Sequence, residues 1–275
     1  MTGVQTCALP IFVELKNENG SVLFQTDAAQ AVSFGSTDAN AFDAAVFTAA
    51  VQKAELTPGA VITALRDPLV SHVRNNNSFA YADQLGTNWM DSTPALGGKS
   101  WLNPYMDNAR SYIAELAGDA AQKGFSLIVL TDVNFPTRNT AHMNTIKTEP
   151  SRNAILGQML SEVQSAAGDV PVLNSIDLAE QLMLSGNAPY TDMQEIGYSK
   201  NAPYISLSEI EQNKAALAEK FGTEADSTAI ARTMLTRLAA DGALTETFVP
   251  VISSADIDTL LPVLTELSLS NYIVL

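Results

Sequence analysis

Acidic side chains stand where predicted strands end, and this placement suits acid–base chemistry. Glu14, Asp67 and Asp132 lie at or just beyond the carboxyl ends of predicted strands, with Asp91 on a long loop and Asp177 after a later strand. In α/β folds the carboxyl ends of the strands form the edge where ligands bind and chemistry is done. Two carboxylates at such an edge can serve as a general acid and a general base. Glu14, Asp67 and Asp132 are therefore the candidate catalytic residues, although Glu14 also fits the solvated face of a hairpin.

Basic, polar and aromatic side chains accompany these acids. Arg66 could position a substrate, or it could stabilise its loop through an ion pair. The ion-pair role is favoured, because the guanidinium group fits the two oxygens of a carboxylate. Aromatic faces can stack on apolar ligand surfaces, but buried aromatics mostly serve packing. Packing is the favoured role for Trp101, and both roles stay open for Trp89. The candidate binding residues are Lys16, Arg66, Trp89, Asp91, Trp101, Tyr105, Thr131 and Asn134.

The segment that must position Thr131 and Asp132 has the clearest local pattern. Apolar residues recur at three- and four-residue steps from Met106 to Gln122, which indicates an amphipathic helix. Lys123-Gly124 is typical of a helix end. Phe125–Leu130 is short and almost wholly apolar, as expected for a strand buried on both faces. The pattern predicts a helix, a tight loop and a parallel-type strand that ends beside the candidate site.

The remaining chain alternates predicted strands and helices, and alternation of this kind is typical of a parallel sheet. Ser21–Phe24 could pair back on the first strand as a hairpin. The predicted strands are Phe12–Lys16, Ala60–Leu65, Leu127–Leu130, Val170–Ser175, Tyr204–Ser206, Phe248–Ile252 and Tyr272–Leu275. The other predicted helices are Asp38–Lys53 with Asp38 or Thr37 as N-cap, Ser151–Ala167 with Ser151 as N-cap, Asp177–Leu184, Ser208–Phe221 with a Ser208/Glu211 capping box, Ser227–Ala240 and Ala255–Leu267 capped by Ser254.

Composition narrows the classes of function. The chain of 275 residues is 46% hydrophobic and 16% charged, which predicts a globular core. Its net charge of −15, from 30 acidic and 15 basic residues, disfavours a nucleic-acid partner. No apolar run reaches the length of a membrane span. Phosphate-binding glycine loops, H-E-x-x-H and G-x-S-x-G are absent from the sequence. Neither a cofactor nor a metal site is predicted.

The first eleven residues, MTGVQTCALPI, read as the translation of a short-read sequencing adapter. We expect them to be a non-native tail, with a genuine N-terminal tail as the alternative. On that interpretation Cys7, the single cysteine, is not native, and the native protein lacks its beginning here. Residues 12–275 are then expected to form one domain.

A family resemblance is carried by two motifs. Trp101-Leu102-Asn103-Pro104-Tyr105 resembles a W-V-N-P-Y turn, and Gly124 to Pro136 resembles G-F-D-E-I-Q-F-D-Y-V-R-F-P at the same spacing. Both motifs occur in a family of bacterial (β/α)8 barrels classed with the glycoside hydrolases and distantly like the α-amylases. Glu14 and Lys16 resemble an Asp and a Lys of that family, and Arg66-Asp67-Pro68 its F-K-D-P. The resemblance implies a TIM-type (β/α)8 barrel with its first β/α unit missing, because seven strands are predicted. A doubly wound open sheet stays the alternative fold.

The resemblance also implies a function. Glycoside hydrolysis needs two carboxylates across the scissile bond, and the implied partner is an oligo- or polysaccharide outside the cell or at its surface. This sequence departs from the family at the central position. Thr131 stands where the family has its strand-end Asp, and a shift of one residue along a strand would turn Asp132 to the opposite face unless a bulge corrects it. Two hypotheses remain: a glycoside hydrolase, or a catalytically inactive barrel that binds glycan or cell-envelope partners.

Overall fold

The computed structural model describes residues 10–73, 77–84, 86–136, 139–144, 150–177, 200–240, 250–269 and 272–275. The chain divides into two compact units, Met1–Leu173 and Asn174–Leu275, with the boundary inside one strand. The first unit contains β1 (Pro10–Lys16), β2 (Val22–Phe24), α1 (Ala29–Phe34), β3 (Thr37–Phe42), α2 (Ala44–Lys53), β4 (Thr57–Thr63), α3 (Pro68–Val73), β5 (Ala80–Tyr81), α4 (Asp107–Gln122), β6 (Leu127–Thr131), β7 (Met143–Asn144), α5 (Arg152–Ala167) and the start of β8 (Val172–Asp177). Short 3₁₀ turns lie at Pro94–Leu96 and Thr140–His142.

The second unit continues β8 and adds β9 (Asn201–Ile205), α6 (Leu207–Gln212), α7 (Lys214–Phe221), α8 (Ser227–Ala240), β10 (Val251–Ile252), a 3₁₀ turn (Ser254–Asp256), α9 (Ile257–Glu266) and β11 (Ile273–Val274). Its strands follow the order β8-β9-β10-β11, and all neighbouring pairs are parallel. An apolar core that includes Ile205, Leu217, Leu235 and Leu260 holds the helices to the strands. Strand and helix alternate as the sequence predicts.

The first unit places its candidate residues through a sheet of order β3-β2-β1-β4-β6. β1 pairs with β4 and β4 with β6, both parallel, so the carboxyl ends of these three strands share one edge. β2 turns back against β1 in the predicted antiparallel hairpin. The loops that follow β1, β4 and β6 therefore emerge together, and they contain most of the predicted site.

Helix α4 buries the stripe that its sequence predicts, including Ala109, Ile113 and Leu116. It packs on α5, and a Cβ on Gly118 would lie 3.1 Å from the carbonyl oxygen of Ala166. The small residue allows the two helix backbones to approach closely. α5 begins as predicted, since the Ser151 side chain accepts a hydrogen bond from the Ala154 N–H.

The N-cap of helix α1 makes no side-chain hydrogen bond, and two acids of α4 bind the start of α1 and the chain just before it. Asp119 Oδ2 accepts hydrogen bonds from the Thr26 hydroxyl at 2.6 Å and the Asp27 N–H at 3.1 Å. The Gln30 N–H donates to Glu115 Oε2 at 2.9 Å. Glu115 satisfies a donor that a helix start leaves unpaired, and Asp119 holds the residues just before the helix. α4 therefore both fills the core and orders the segment after the hairpin.

Two predicted helices are wrong in detail. Residues predicted as one helix from Asp38 to Lys53 form β3 and then α2, whose N-cap is Asp43. Val46, an apolar residue of α2, is 66% exposed. The apolar spacing was compatible with a longer helix, but β2 supplies a pairing partner for residues 37–42 that local periodicity does not reveal.

The predicted helix Ser208–Phe221 is interrupted. It forms α6 and α7, which meet at Asn213, and the α6 N-cap is Ser206 without a side-chain bond. The Ser208/Glu211 capping box is absent because Glu211 bonds Ser227 and Lys214 instead. The Leu207 N–H donates to Asp256 Oδ2 at 2.8 Å, so a distant acid replaces the local cap. The helix predicted after Ser254 likewise begins later, as α9, with Asp256 at its N-cap.

Several predictions fall on residues outside the described ranges. They include residues 178–184 of the predicted helix Asp177–Leu184, residues 248–249 of the strand Phe248–Ile252, and residues 1–9 of the expected tail. Pro10 and Ile11, also assigned to that tail, are the first residues of β1 and pair with Thr57 and Pro58. The non-native origin of residues 1–11 stays a prediction.

Candidate active site at the carboxyl edge of the sheet

A β-bulge in β1 separates two predicted site residues. Glu14 pairs with Val61 and Lys16 with Ile62, so β1 contains one residue more than β4 between these pairs. Val61 and Ile62 are consecutive and therefore face opposite sides of the sheet. Glu14 and Lys16, which pair with them, face opposite sides as well. Glu14 is exposed, whereas Lys16 is fully buried. In a regular strand both side chains would share a face.

Lys16 and Asp67 pair inside the protein. Lys16 Nζ lies 3.0 Å from Asp67 Oδ2 and donates to the Thr63 carbonyl oxygen at 2.7 Å. Asp67 Oδ1 accepts from the Val70 N–H at 2.8 Å and so caps the short helix α3. Neither charged side chain has solvent exposure. This geometry favours a positioning role for both residues, joining β1 to the end of β4, over the catalytic role predicted for Asp67 and the binding role predicted for Lys16.

Above this pair lies an ion cluster of Glu18, Arg66, Asp91 and Lys99. Arg66 Nη1 is 2.7 Å from Glu18 Oε2, and Arg66 Nη2 is 3.6 Å from Asp91 Oδ2. Lys99 Nζ is 2.6 Å from Glu18 Oε1. Asp91 also accepts from the Lys99 N–H at 2.8 Å and from Trp101 Nε1 at 3.0 Å. The predicted ion-pair role of Arg66 is thus present, and its guanidinium still reaches solvent.

Sequence reasoning missed Glu18 and Lys99. Glu18 belongs to the turn that joins β1 and β2, and Lys99 precedes the Trp101 turn. A usable signal existed for Glu18, because an acid two residues beyond a parallel strand lies at the same edge as the other strand-end acids. Lys99 comes from a loop with little pattern, and only the folded loop brings it to Glu18.

The predicted aromatic residues anchor a cap over this edge. The cap comprises residues 77–84, 86–102 and 139–144, and β5 and β7 pair within it. Trp89 is fully buried, donates from Nε1 to the Asn139 carbonyl oxygen at 3.0 Å and packs edge-on against Phe79. Trp101 is 6% exposed. These indoles contact the cap by packing and hydrogen bonding, and the burial of Trp89 favours the anchoring role.

Tyr105 extends the same anchoring to the chain before α5. Its hydroxyl donates to the Pro150 carbonyl oxygen at 2.9 Å, and its ring centroid is 5.7 Å from that of Phe135. Asn134, half-buried beside Phe135, donates to the Phe135 carbonyl oxygen at 3.2 Å. Tyr105 therefore connects the Trp101 turn to the segment that follows β6.

Thr131 and Asp132 lie beside the end of β4. The Thr131 hydroxyl donates to Thr63 Oγ1 at 3.2 Å, and the Leu65 N–H donates to the Asp132 carbonyl oxygen at 3.2 Å. Asp132 has a φ of +52°, in the left-handed region. Side chains alternate only in extended backbone, so the expectation that Asp132 points away from the face of Thr131 does not apply at this residue. Asp132 is half-buried, like Thr131.

The environments of Glu14 and Glu18 push their pKa values apart. Partial burial raises the pKa of Glu14, and the negative charge of Glu18 raises it further against the opposing effect of Lys16. The hydrogen bond from Lys99 lowers the pKa of Glu18, with help from Arg66. Acids whose environments separate their pKa values are typical of acid–base sites. Within the described residues no group of three or more His, Cys, Asp or Glu could hold a metal ion.

The fold defines the class, an α/β protein whose parallel strands bring acidic residues to their carboxyl ends, and the family comparison says which kind of domain it is. Residues 5–198 match the family described as "Putative glycosyl hydrolase domain". The chain belongs to this family. The predicted family, the α/β fold class and the carbohydrate-hydrolase type of domain are thereby confirmed. No curated protein matches the sequence.

The chain is similar to several solved structures. A hypothetical protein from Ruminiclostridium thermocellum superposes with a TM-score of 0.54 at 18% identity, covering 62% of this chain and 84% of that one. The glycoside hydrolase domain of PelA from Pseudomonas aeruginosa gives a TM-score of 0.49 at 12% identity, covering 97% and 92%. An alpha-galactosidase from Thermus thermophilus gives 0.42 at 12% identity, covering 60% of this chain and 31% of that one. No helix among the described residues is long and apolar enough to cross a membrane.

Proposed function

We propose that the protein hydrolyses glycosidic bonds of a carbohydrate bound at the carboxyl edge of β1, β4 and β6. Family membership supports this class of reaction. The observation that carries the proposal is the placement of two solvent-accessible acids, Glu14 and Asp132, on β1 and just beyond β6, the strands that flank β4 on either side. Glycoside hydrolysis normally needs two carboxylates, and these two acids are proposed to supply them.

The environments of the two acids support different roles. Glu14 has a raised pKa and is the proposed general acid, which protonates the leaving-group oxygen. Asp132 is the proposed second carboxylate, which activates water or attacks the sugar directly. Its left-handed backbone, unusual for a residue other than glycine, fits the finding that strained conformations collect at functional sites.

The surrounding residues are proposed to bind and shape the substrate. Arg66 and Asp91 present charged groups at the edge, and Thr131 and Asn134 are half-buried beside Asp132. Asp67 and Lys16 support the edge from within. Trp89, Trp101 and Tyr105 fix the cap. A carbohydrate partner and a location outside the cell or at its surface belong to this proposal.

The test is turnover of a panel of aryl glycosides and polysaccharides. We expect Glu14→Gln and Asp132→Asn each to reduce turnover by about 10² to 10⁴-fold, the usual contribution of a general acid or base. The matched control is Asp258→Asn, an exposed acid in α9, which should leave turnover unchanged. Turnover that survives both edge substitutions would refute these assignments.

A second candidate is glycan binding without turnover. One observation favours it: Thr131 occupies the strand-end position that holds Asp in the family pattern, and its hydroxyl donates to Thr63 Oγ1. Calorimetry with the same polysaccharides separates the two candidates. Binding with no turnover under any condition, together with unchanged affinity in Glu14→Gln, supports the binding protein. Absence of both binding and turnover would exclude the two candidates.

A further inference from the structure

Two cations of the ion cluster converge on one carboxylate. Arg66 Nη1 and Lys99 Nζ lie 2.7 and 2.6 Å from the two oxygens of Glu18. Charge-assisted contacts of this length are among the stronger hydrogen bonds in proteins. The protein has 15 basic residues and a net charge of −15, so a pair of cations around one position at the ligand-binding edge is a local exception to an acidic surface.

The cations are held independently of Glu18. The Lys99 N–H donates to Asp91 Oδ1, and the same carboxylate group accepts from Trp101 Nε1. Arg66 forms an isolated β-bridge with Trp101. The Lys99 side chain is only 16% exposed. Backbone contacts thus fix both residues without Glu18, and the Arg66 guanidinium keeps its 3.6 Å contact with Asp91 when the Glu18 carboxylate is removed.

Glu18 is the displaceable partner. It lies in the turn between β1 and β2, and its side chain is 50% exposed. Exposed ion pairs contribute little net stability, because the carboxylate exchanges protein contacts for water at small cost. A carboxylate from outside can therefore replace that of Glu18 between the same two cations.

We propose that the ion cluster is a subsite for a carboxylate-bearing sugar, a uronic acid residue, whose carboxylate displaces Glu18 from Arg66 and Lys99. The inference rests on the proposed function and names the substrate class. A carboxylate is favoured over a sulfate ester because the position is filled by a planar, two-oxygen anion in this structure, and the guanidinium fork matches that shape. The net negative charge of the protein opposes anions at long range, but salt at 0.15 M screens exposed charges beyond about 8 Å.

The experiment measures binding by calorimetry to oligogalacturonate, its carboxyl-reduced neutral counterpart and a sulfated neutral oligosaccharide. We expect the uronate to bind at least about tenfold more tightly than the reduced form, the scale of one charge-assisted contact. Lys99→Met should lose about tenfold in uronate affinity. Glu18→Gln should gain affinity several-fold, because it removes the internal competitor and its charge. The matched control Lys214→Met removes a cation from an exposed Glu211 pair in α7 and should change nothing.

Lys99→Met should lower the affinity for uronate and Glu18→Gln should raise it. Ion pairs that only stabilise the structure would not produce these opposite changes. Such a structural role predicts that neither substitution changes the affinity for uronate, and that result overturns the subsite. Equal binding of uronate and reduced oligosaccharide also overturns it while the proposed carbohydrate function stands. Tighter binding of the sulfated sugar refutes the carboxylate class. Failure of every sugar to bind refutes both the subsite and the proposed function. Circular dichroism confirms that each variant is folded.

Discussion

Lys16 and Asp67 form a fully buried ion pair, with 3.0 Å between Nζ and Oδ2, that joins the end of β1 to the chain leaving β4. The β-bulge in β1 turns Lys16 inward to make this contact. Isolated charges are costly to bury, so each member of the pair depends on the other. The pair fixes the separation of two strand ends from which candidate catalytic and binding residues emerge.

Removing one member of this pair should destabilise the protein strongly. We expect Lys16→Met or Asp67→Asn each to lower the free energy of unfolding by about 3 kcal/mol, because the remaining charge or buried polar group loses its partner. The double variant should lose clearly less than the sum. Urea denaturation followed by circular dichroism measures all three values. Additive losses would show that the two side chains do not depend on each other.

Gly20 should tolerate no side chain. Its φ is +84°, and an added Cβ would lie 2.2 Å from Asp67 Oδ1. Gly20→Ala therefore combines backbone strain with a collision against the buried pair. Gly35→Ala is the matched control, because its φ is +66° and nothing lies within 4 Å of its Cβ position. We expect the control to cost about 1 kcal/mol and Gly20→Ala to cost at least about 1 kcal/mol more, a typical overpacking penalty. Equal losses in thermal denaturation would contradict the collision.

Local sequence patterns predicted the elements that are stabilised locally. α4, α5 and the hairpin of β1 and β2 follow from apolar periodicity, a Ser151 cap and a turn ending in Gly20, and the structure contains them. The prediction failed where a distant partner decides. Residues 37–42 pair with β2 as a strand, and Asp256 caps α6 from beyond α8. Periodicity contains no information about either partner.

The candidate site shows the same limit. Strand ends can be recognised in the sequence, so Glu14, Asp67 and Asp132 were identified as edge residues. The bulge that buries Lys16 and the loop that brings Lys99 to Glu18 have no local signature. Burial is a property of the whole fold, and it distinguishes the enclosed Asp67 from the accessible Glu14 and Asp132.

Asp119 should be important for stability because it joins α4 to the chain before α1. Its Oδ2 accepts from the Thr26 hydroxyl and the Asp27 N–H, and its side chain is almost wholly buried. Asp119→Ala leaves both donors without their acceptor, and we expect a loss of about 1 to 3 kcal/mol. Asp43→Ala, which removes the local cap of α2, should cost only about 1 kcal/mol. Chemical denaturation compares the two, and a smaller loss for Asp119→Ala would contradict the stabilising role of this contact between α4 and the chain before α1.

The pKa values of Glu14 and Glu18 provide a test that does not depend on turnover. Carbon-detected NMR titration should place the pKa of Glu14 above the ordinary glutamate value and that of Glu18 below it. In Glu18→Gln the pKa of Glu14 should fall, because one negative neighbour is gone, yet stay raised, because burial is the larger cause.

The lowered pKa of Glu18 also fixes the sign of a stability change. Its ion pairs stabilise the fold fully above the ordinary glutamate pKa, and this contribution is lost as the pH falls through the lower pKa of the folded state. Glu18→Gln should remove that part of the loss of stability at low pH. Glu211→Gln breaks a solvent-exposed pair in the second unit and is the control for the titration, because it should leave the pKa of Glu14 unchanged. If the pKa of Glu14 does not change in Glu18→Gln, the two carboxylates do not interact. The proposal that Glu18 raises the pKa of Glu14 would then fail.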